Sequence, residues 1–413
     1  MSQKPNVLIF GGSNGLTPVL ALFLVPLNGE PLVDHLRIAD KYSMSPPTVY
    51  VPKAFPQLIK ERANLVEYRQ ANLTNAETVA RCFTDPAPNG RPYTHIFDLS
   101  GDIAFERPAE IQITHTLKVA LTIAREAAQQ RVKVHIRMLP PVYDHKVEKS
   151  AYHENDVDSW RPLGVRGVWW HEMIRAVASV PNLPLVVLRE AFAYGPGYPR
   201  ADIATGIMLG AIYKYLGQDF KPLWGPRLKK CTIHVQDVVR AAWSTALWAS
   251  TKSRTELDTL AGVSVPPSGD KTVTSVPEAV TSNNIIIPVF NLSDDGDSDQ
   301  ERICSSIANA LGMKYGYHNE IIHQIVKLKF NDVVEDANEL HIRTWNEMYR
   351  SGSSSESPLS PYIFPHQFGK RGCALNSSQL KKVVGYTMQY PLFDANAVKE
   401  TVDSFRAEGI WPQ

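Results

Sequence analysis

Short runs of large and β-branched apolar residues alternate with longer amphipathic stretches through the first half of the chain. Residues 7–10, 36–39, 65–68, 95–99, 132–138 and 183–188 have the apolar density of strands buried on both faces. Between them, 109–130 and 168–179 repeat apolar residues at helical spacing. Strand and helix in alternation predict a parallel sheet covered by helices on both faces, a doubly wound α/β architecture. Right-handed crossovers then gather the carboxyl ends of the strands along one edge, where a ligand would sit.

The rhythm changes after Glu190. Gly195-Pro-Gly-Tyr-Pro199 is a turn cluster. A helical pattern over 203–216 follows, then a strand-like run at about 231–236 and a helix over 238–249. The chain therefore divides into a first unit, 1–189, and a smaller carboxyl-terminal lobe, 190–413, whose 231–236 strand and following helix return to the core of the first. Residues 262–283, rich in Val, Thr, Ser and Pro, and the Ser-rich 351–361 read as surface insertions.

Composition narrows the function classes. With 413 residues the chain is too long for one small core. Lys plus Arg (43) nearly cancels Asp plus Glu (42), so no charge excess draws it to a phosphate backbone and no nucleic-acid partner is expected. Cys82, Cys231, Cys304 and Cys373 are widely scattered, which suggests reduced thiols and no metal site. The longest apolar run, 16–27, is interrupted by Pro18 and Pro26 and is shorter than the roughly 20 residues a membrane span needs. The expectation is a cytoplasmic protein with no membrane partner.

Candidate chemistry begins where the first strand runs into Gly11-Gly12-Ser13-Asn14-Gly15-Leu16-Thr17-Pro18. Glycines between a strand and a helix permit a tight turn and let backbone N–H groups approach a pyrophosphate. The third glycine of the usual pattern is missing, with Thr17 or Pro18 in its place. Asp40 ends the second strand, where a carboxylate accepts both hydroxyls of an adenosine ribose and repels a 2′-phosphate. The cofactor expected from this pair of signals is NAD rather than NADP, held by 1–189 as a Rossmann-type domain.

Taken in order, Gly11–Gly15, Asp40, Ala71-Asn72-Leu73, Leu99-Ser100-Gly101, Val142-Tyr143, Leu188-Arg189, Tyr194-Gly-Pro-Gly197 and His234-Val-Gln-Asp237 resemble the motifs of the extended short-chain dehydrogenase/reductase superfamily. Within it the chain is similar to the NAD-dependent epimerase/dehydratase group. The resemblance implies that Asn72 and Leu73 flank the adenine and that Leu99, Ser100 and Gly101 line the middle of the cofactor. It also implies a small-molecule substrate held by the lobe after Arg189, and pairing into a homodimer through the helices at 109–130 and 168–179. Lys230 stands where nucleotide-sugar members of the group place a phosphate-binding arginine, with Lys370-Arg371 near a second such position.

The group's catalytic machinery is a Ser or Thr with a Tyr-x-x-x-Lys pair, whose four-residue spacing puts phenol and ammonium on one helix face. Here the corresponding segment reads Pro162-Leu163-Gly164-Val165-Arg166-Gly167, with Leu163 for the tyrosine and Gly167 for the lysine. None of the 16 tyrosines has a lysine four residues later, and Met138-Leu139-Pro140-Pro141 occupies the serine's place. Replacement acid–base groups are sought in Glu190, Tyr143 and His171. Phe192, Tyr194, Trp169 and Lys230 are the candidate substrate contacts. Three functions remain open on these residues: an atypical oxidoreductase of the epimerase/dehydratase type with relocated proton donors; a redox-neutral isomerase, cyclase or lyase; and a non-catalytic dinucleotide binder.

Overall fold

The computed structural model describes residues 3–145, 151–199, 202–281, 283–319, 324, 326, 328–350 and 357–412. Six parallel strands run β1 (Asn6–Phe10), β2 (His35–Asp40), β3 (Val66–Gln70), β4 (His95–Asp98), β5 (Val134–Leu139) and β6 (Leu185–Glu190). Between them lie α1 (Leu16–Leu24), α2 (Ala54–Glu61), α3 (Ala76–Thr84), α4 (Ala109–Gln112), α5 (Val119–Gln129) and α6 (Gly164–Ala178). Each of the six strand readings falls on one of these strands; five are buried along their whole length, and β3, at the sheet edge, only in part.

Beyond Glu190 come the short strand β7 (Phe192–Tyr194), α7 (Asp202–Tyr215), β8 (Thr232–His234), α8 (Val235–Ala249), α9 (Arg254–Ala261), β9 (Gly262–Val265), β10 (Ile285–Leu292) and α10 (Gln300–Leu311). Further helices are α11 (Phe330–Arg350), α12 (Ser378–Val384) and α13 (Ala395–Glu408). The main sheet has the order β3-β2-β1-β4-β5-β6-β10-β9, with β9 antiparallel to β10 and the rest parallel. The order reverses between β1 and β4, which creates a switch-point crevice at the strand carboxyl ends. Two apolar clusters cover the faces: Val7 and Ile9 point into one, Leu8 and Phe10 into the other.

Three features differ from the sequence reading. The 231–236 run forms β8, which pairs with β7 in a separate two-stranded sheet and not with the main one. The seventh main-sheet strand is β10, whose Pro288 and proximity to a loop-rich stretch hid it. The helix expected over 109–130 contains a π-helical segment, Ile113–Lys118. There Thr116 donates to Gln112 and accepts the Asp102 N–H, tying the distorted turn to the β4 loop. Of the two insertions, 262–283 starts with the residues of β9, and 351–356 of the second lie outside the described residues. Among the described residues no helix is long and apolar enough to cross a membrane, and no His/Cys/Asp/Glu group is placed to hold a metal.

Candidate active site

The turn from β1 into α1 is built for glycine. Gly11 and Gly12 have φ of 70° and 72°, and a β-carbon on Gly11 would stand 2.6 Å from the Ser100 Cα. One on Gly12 would stand 2.8 Å from the Leu99 Cβ. The turn thus packs directly on the loop after β4. Thr17 closes it by donating to the Gly11 carbonyl at 2.6 Å, and Pro18 takes the third glycine's place inside the first helical turn. The amino end of α1 carries no acidic residue and no side-chain cap, which leaves it receptive to an anion. Gly11→Ala is expected to cost about 1–3 kcal/mol in a thermal melt through strain and displacement of Ser100.

Asp40 is buried at the end of β2. Its carboxylate accepts the Ser13 N–H at 2.8 Å and the Lys41 N–H at 2.7 Å, so it fixes the glycine turn while each oxygen keeps a lone pair. Asn14 reaches the Tyr42 hydroxyl at 3.5 Å. Leu16 and Leu73 are buried, and the exposed Asn72 accepts from Thr74. The Leu99-Ser100-Gly101 loop is clamped by Arg137, a wholly buried residue that the sequence reading did not single out. Its guanidinium donates to the Ser100 carbonyl at 2.6 Å, pairs with Asp98 at 2.6 Å and lies over the Trp170 ring. These residues surround the glycine turn at the carboxyl ends of β1, β2 and β4.

Leu163 and Gly167, the positions to which the resemblance assigns a tyrosine and a lysine, lie at the start of α6. Leu163 is half-buried and donates its N–H to the Val142 carbonyl. A β-carbon on Gly167 would stand 2.7 Å from that same carbonyl oxygen and 3.1 Å from the Pro162 carbonyl carbon. The backbone itself fills the space a lysine would need to start from.

Beside these positions, Arg166 points inward and is 4% exposed. Glu190, 5% exposed, feels its charge, although no ion pair forms between them. Arg189, its neighbour on β6, projects to the opposite face, onto Asn291, Ser159 and the Trp160 ring. Burial pushes the Glu190 carboxyl up to about 8, with Arg166 pulling the other way. Burial, with Arg371 adding like-charge repulsion, brings Arg166 down to about 9.

Cations and aromatic rings alternate around Glu190. The Arg166 guanidinium lies 3.8 Å from the Phe105 ring centroid, and Arg371 lies 5.1 Å from Phe105 and 5.3 Å from Phe192. The Lys230 ammonium stands 5.0 Å over the other contact of the series, Phe192. Asp202 answers part of this charge, at 3.7 Å from Arg371, and also accepts from Gln367. Several polar atoms stay buried with no partner among the described residues: Arg166 Nε and Nη1, Arg371 Nε and Glu190 Oε2. Each such atom costs about 1–3 kcal/mol if nothing fills the gap.

The structure brings together Glu190, Phe192 and Lys230 of the sequence candidates, and adds Arg166, Phe105 and Arg371 around them. Lys370, next to Arg371, is exposed. Tyr143 and His171 meet each other instead: the hydroxyl and Nδ1 are 3.2 Å apart, and His171 Nε2 is 2.7 Å from the Pro266 carbonyl. Both are buried, between Trp160 and the first insertion. Trp169 is 1% exposed within the core, and Tyr194 packs edge-on to His234 and Phe393. Arg166 carried a weak sequence signal, a cation one residue before the lysine's place.

No protein-family model and no curated protein matches the sequence. Solved structures do match in shape. The Bordetella bronchiseptica enzyme WbmG, in complex with NAD and UDP, is 12% identical with a TM-score of 0.59, over 98% of this chain and 95% of that one. UDP-glucuronic acid 4-epimerase from Bacillus cereus, in complex with UDP-glucuronic acid and NAD, is 10% identical at 0.58, over 97% and 99%. UDP-glucose 4-epimerase from Thermotoga maritima, with UDP-glucose, is 14% identical at 0.57, over 97% and 99%. The chain has the fold of NAD-dependent UDP-sugar epimerases. The match runs over nearly the whole length of the chain.

Proposed function

We propose that this chain is an atypical NAD-dependent enzyme of the epimerase/dehydratase type, acting on a sugar linked to a nucleoside diphosphate. The observation that carries the reading is a series of three cations: Arg166 and Arg371, each with a buried nitrogen that has no partner among the described residues, and Lys230 beside them over Phe192. Buried guanidinium groups facing one half-buried carboxylate are stabilised by an anionic ligand, and a diphosphate supplies two charges to Lys230 and Arg371. Gly11, Gly12, Ser13, Asn14, Gly15 and Leu16 would hold the cofactor's pyrophosphate, Asp40 its ribose, Asn72 and Leu73 its adenine, and Leu99, Ser100 and Gly101 its middle. The Asp40 carboxylate favours NAD over NADP, because a 2′-phosphate would meet a negative charge.

When bound, NAD supplies a reversible hydride acceptor. The chain's own part is to orient the sugar and move a proton. Glu190 Oε2 takes the proton from a sugar hydroxyl and returns it to the carbonyl, and the Arg166 guanidinium stabilises the oxygen that becomes negative between the two. Phe105 and Phe192 keep water from this centre.

Calorimetric titration tests the reading. UDP is expected to bind the wild-type chain, and Lys230→Ala to weaken it about 10- to 100-fold, the loss of one charge-assisted contact. Failure of UDP, GDP and dTDP alike to bind would defeat the reading. A redox-neutral reaction on the same cleft is favoured by the closed lysine position at Gly167. Asp40→Ala separates the two readings: it abolishes turnover if NAD takes part and leaves it unchanged if not.

A further inference from the structure

Residues 266–284 join β9 to β10, whose ends already meet: Val265 is paired with Ile285 across the antiparallel ladder. Two residues would suffice for a hairpin there. The chain instead spends nineteen on an excursion that lies along α6. Its grip on that helix is specific. Arg175, fully buried, donates to the Val265 carbonyl at 2.7 Å, the Asn283 carbonyl at 3.0 Å and the Val280 carbonyl at 3.2 Å. Glu172, also fully buried, pairs with Arg175 at 3.1 Å and accepts the Ser268 N–H at 2.8 Å. His171 reaches the Pro266 carbonyl, and Lys118, at the end of the π-helical segment before α5, pairs with Glu278 at 3.1 Å.

The excursion is two-faced. Val265, Val273, Val276 and Val280 pack into the apolar cluster shared with α5 and α6. Pro267, Asp270, Lys271, Thr272, Thr274 and Ser275 face solvent. Its outer side therefore offers no large apolar side chain among the described residues, whereas a stable interface between copies needs a substantial apolar centre. A second copy docking on α6 would have to displace the excursion and leave the buried Arg175–Glu172 pair without its carbonyl and N–H partners, at a cost of several hydrogen bonds.

We infer that residues 266–284 occupy the α5–α6 face in place of a second copy of this chain, so that the protein is monomeric through this face. The excursion is an internal cover: it satisfies the polar residues of α6 and buries its apolar ones, the two tasks a subunit partner would perform. The pairing that the sequence suggested through these helices is thereby closed off. The inference is independent of what the cleft binds.

Sedimentation velocity of the full chain, from 1 to 100 µM, tests the first half. A single species with the mass of one chain is expected throughout. A dimer whose α5 and α6 amides gain hydrogen-exchange protection with concentration would overturn the inference. The second half is tested by replacing residues 266–284 with Asn-Gly, a turn suited to the Val265–Ile285 pair. The shortened chain is expected to self-associate, and a folded, strictly monomeric shortened chain would overturn the inference. If it does not fold, Val273→Ser with Val280→Ser in the full-length protein loosens the cover instead. Self-association of that variant supports the inference, and a monomer with exposed α6 amides refutes it.

Discussion

Glu190→Gln is expected to lower kcat by about 10² to 10⁴ while leaving UDP affinity within a factor of three. The substitution is nearly isosteric and keeps a polar group in the pocket, so the melting temperature should change little. The pH dependence identifies the group. Because burial raises Glu190 to about 8, the carboxylate that can take a proton accumulates as pH rises through that value. The wild-type kcat/KM for the proton-abstracting direction therefore climbs as pH rises through about 8, before Arg166 begins to lose its charge, and that limb disappears in the variant. The groups around Glu190 do not imitate it. Burial drives the Tyr198 phenol upward, so it stays protonated. His366 is pushed down to about 3 by burial and by Arg371, so it stays neutral. Arg166, at about 9, is still largely charged at pH 8. A loss under tenfold, or an unchanged limb in the variant, would remove Glu190 from the chemistry.

Five of the eight main-sheet strands, β1, β2, β4, β5 and β6, were legible because they are buried along their whole length, whereas Pro288 interrupted the equally apolar β10. The glycine turn was legible because the left-handed backbone at Gly11 and Gly12 restricts those positions to glycine. What escaped was contact over long sequence distances. Arg166, Phe105 and Arg371 come from α6, from the loop after β4 and from a segment more than 200 residues later, and no periodicity links them. Tyr143 and His171 carried the right chemistry, but their partner is the Pro266 carbonyl in an insertion whose docking no local pattern could announce. Glu190 and Arg189 could be told apart once strand alternation was applied, since adjacent residues of β6 must face opposite sides of the sheet.

Installing a Tyr-x-x-x-Lys pair as Leu163→Tyr with Gly167→Lys is expected to destabilise the protein by about 3 kcal/mol or more and to add no activity. The cause lies in the backbone. Any β-carbon at residue 167 meets the Val142 carbonyl at 2.7 Å and the Pro162 carbonyl carbon at 3.1 Å, so neither a rotamer nor a flexible neighbour can relieve the contact. The α6 turn must shift, and that shift would pull Leu163 from its N–H bond to the same Val142 carbonyl. Arg166 would move with the turn and lose its place over Phe105. Gly167→Ala alone should show most of the loss in a thermal melt, whereas Leu163→Tyr alone, at a half-buried position, should show little. If Gly167→Ala proved neutral, the close packing at this turn would not be a barrier to a lysine at this position. With the barrier in place, the start of α6 holds the Arg166 guanidinium one residue before Gly167, which is why the proposed proton transfer is assigned to the Glu190 carboxyl on β6.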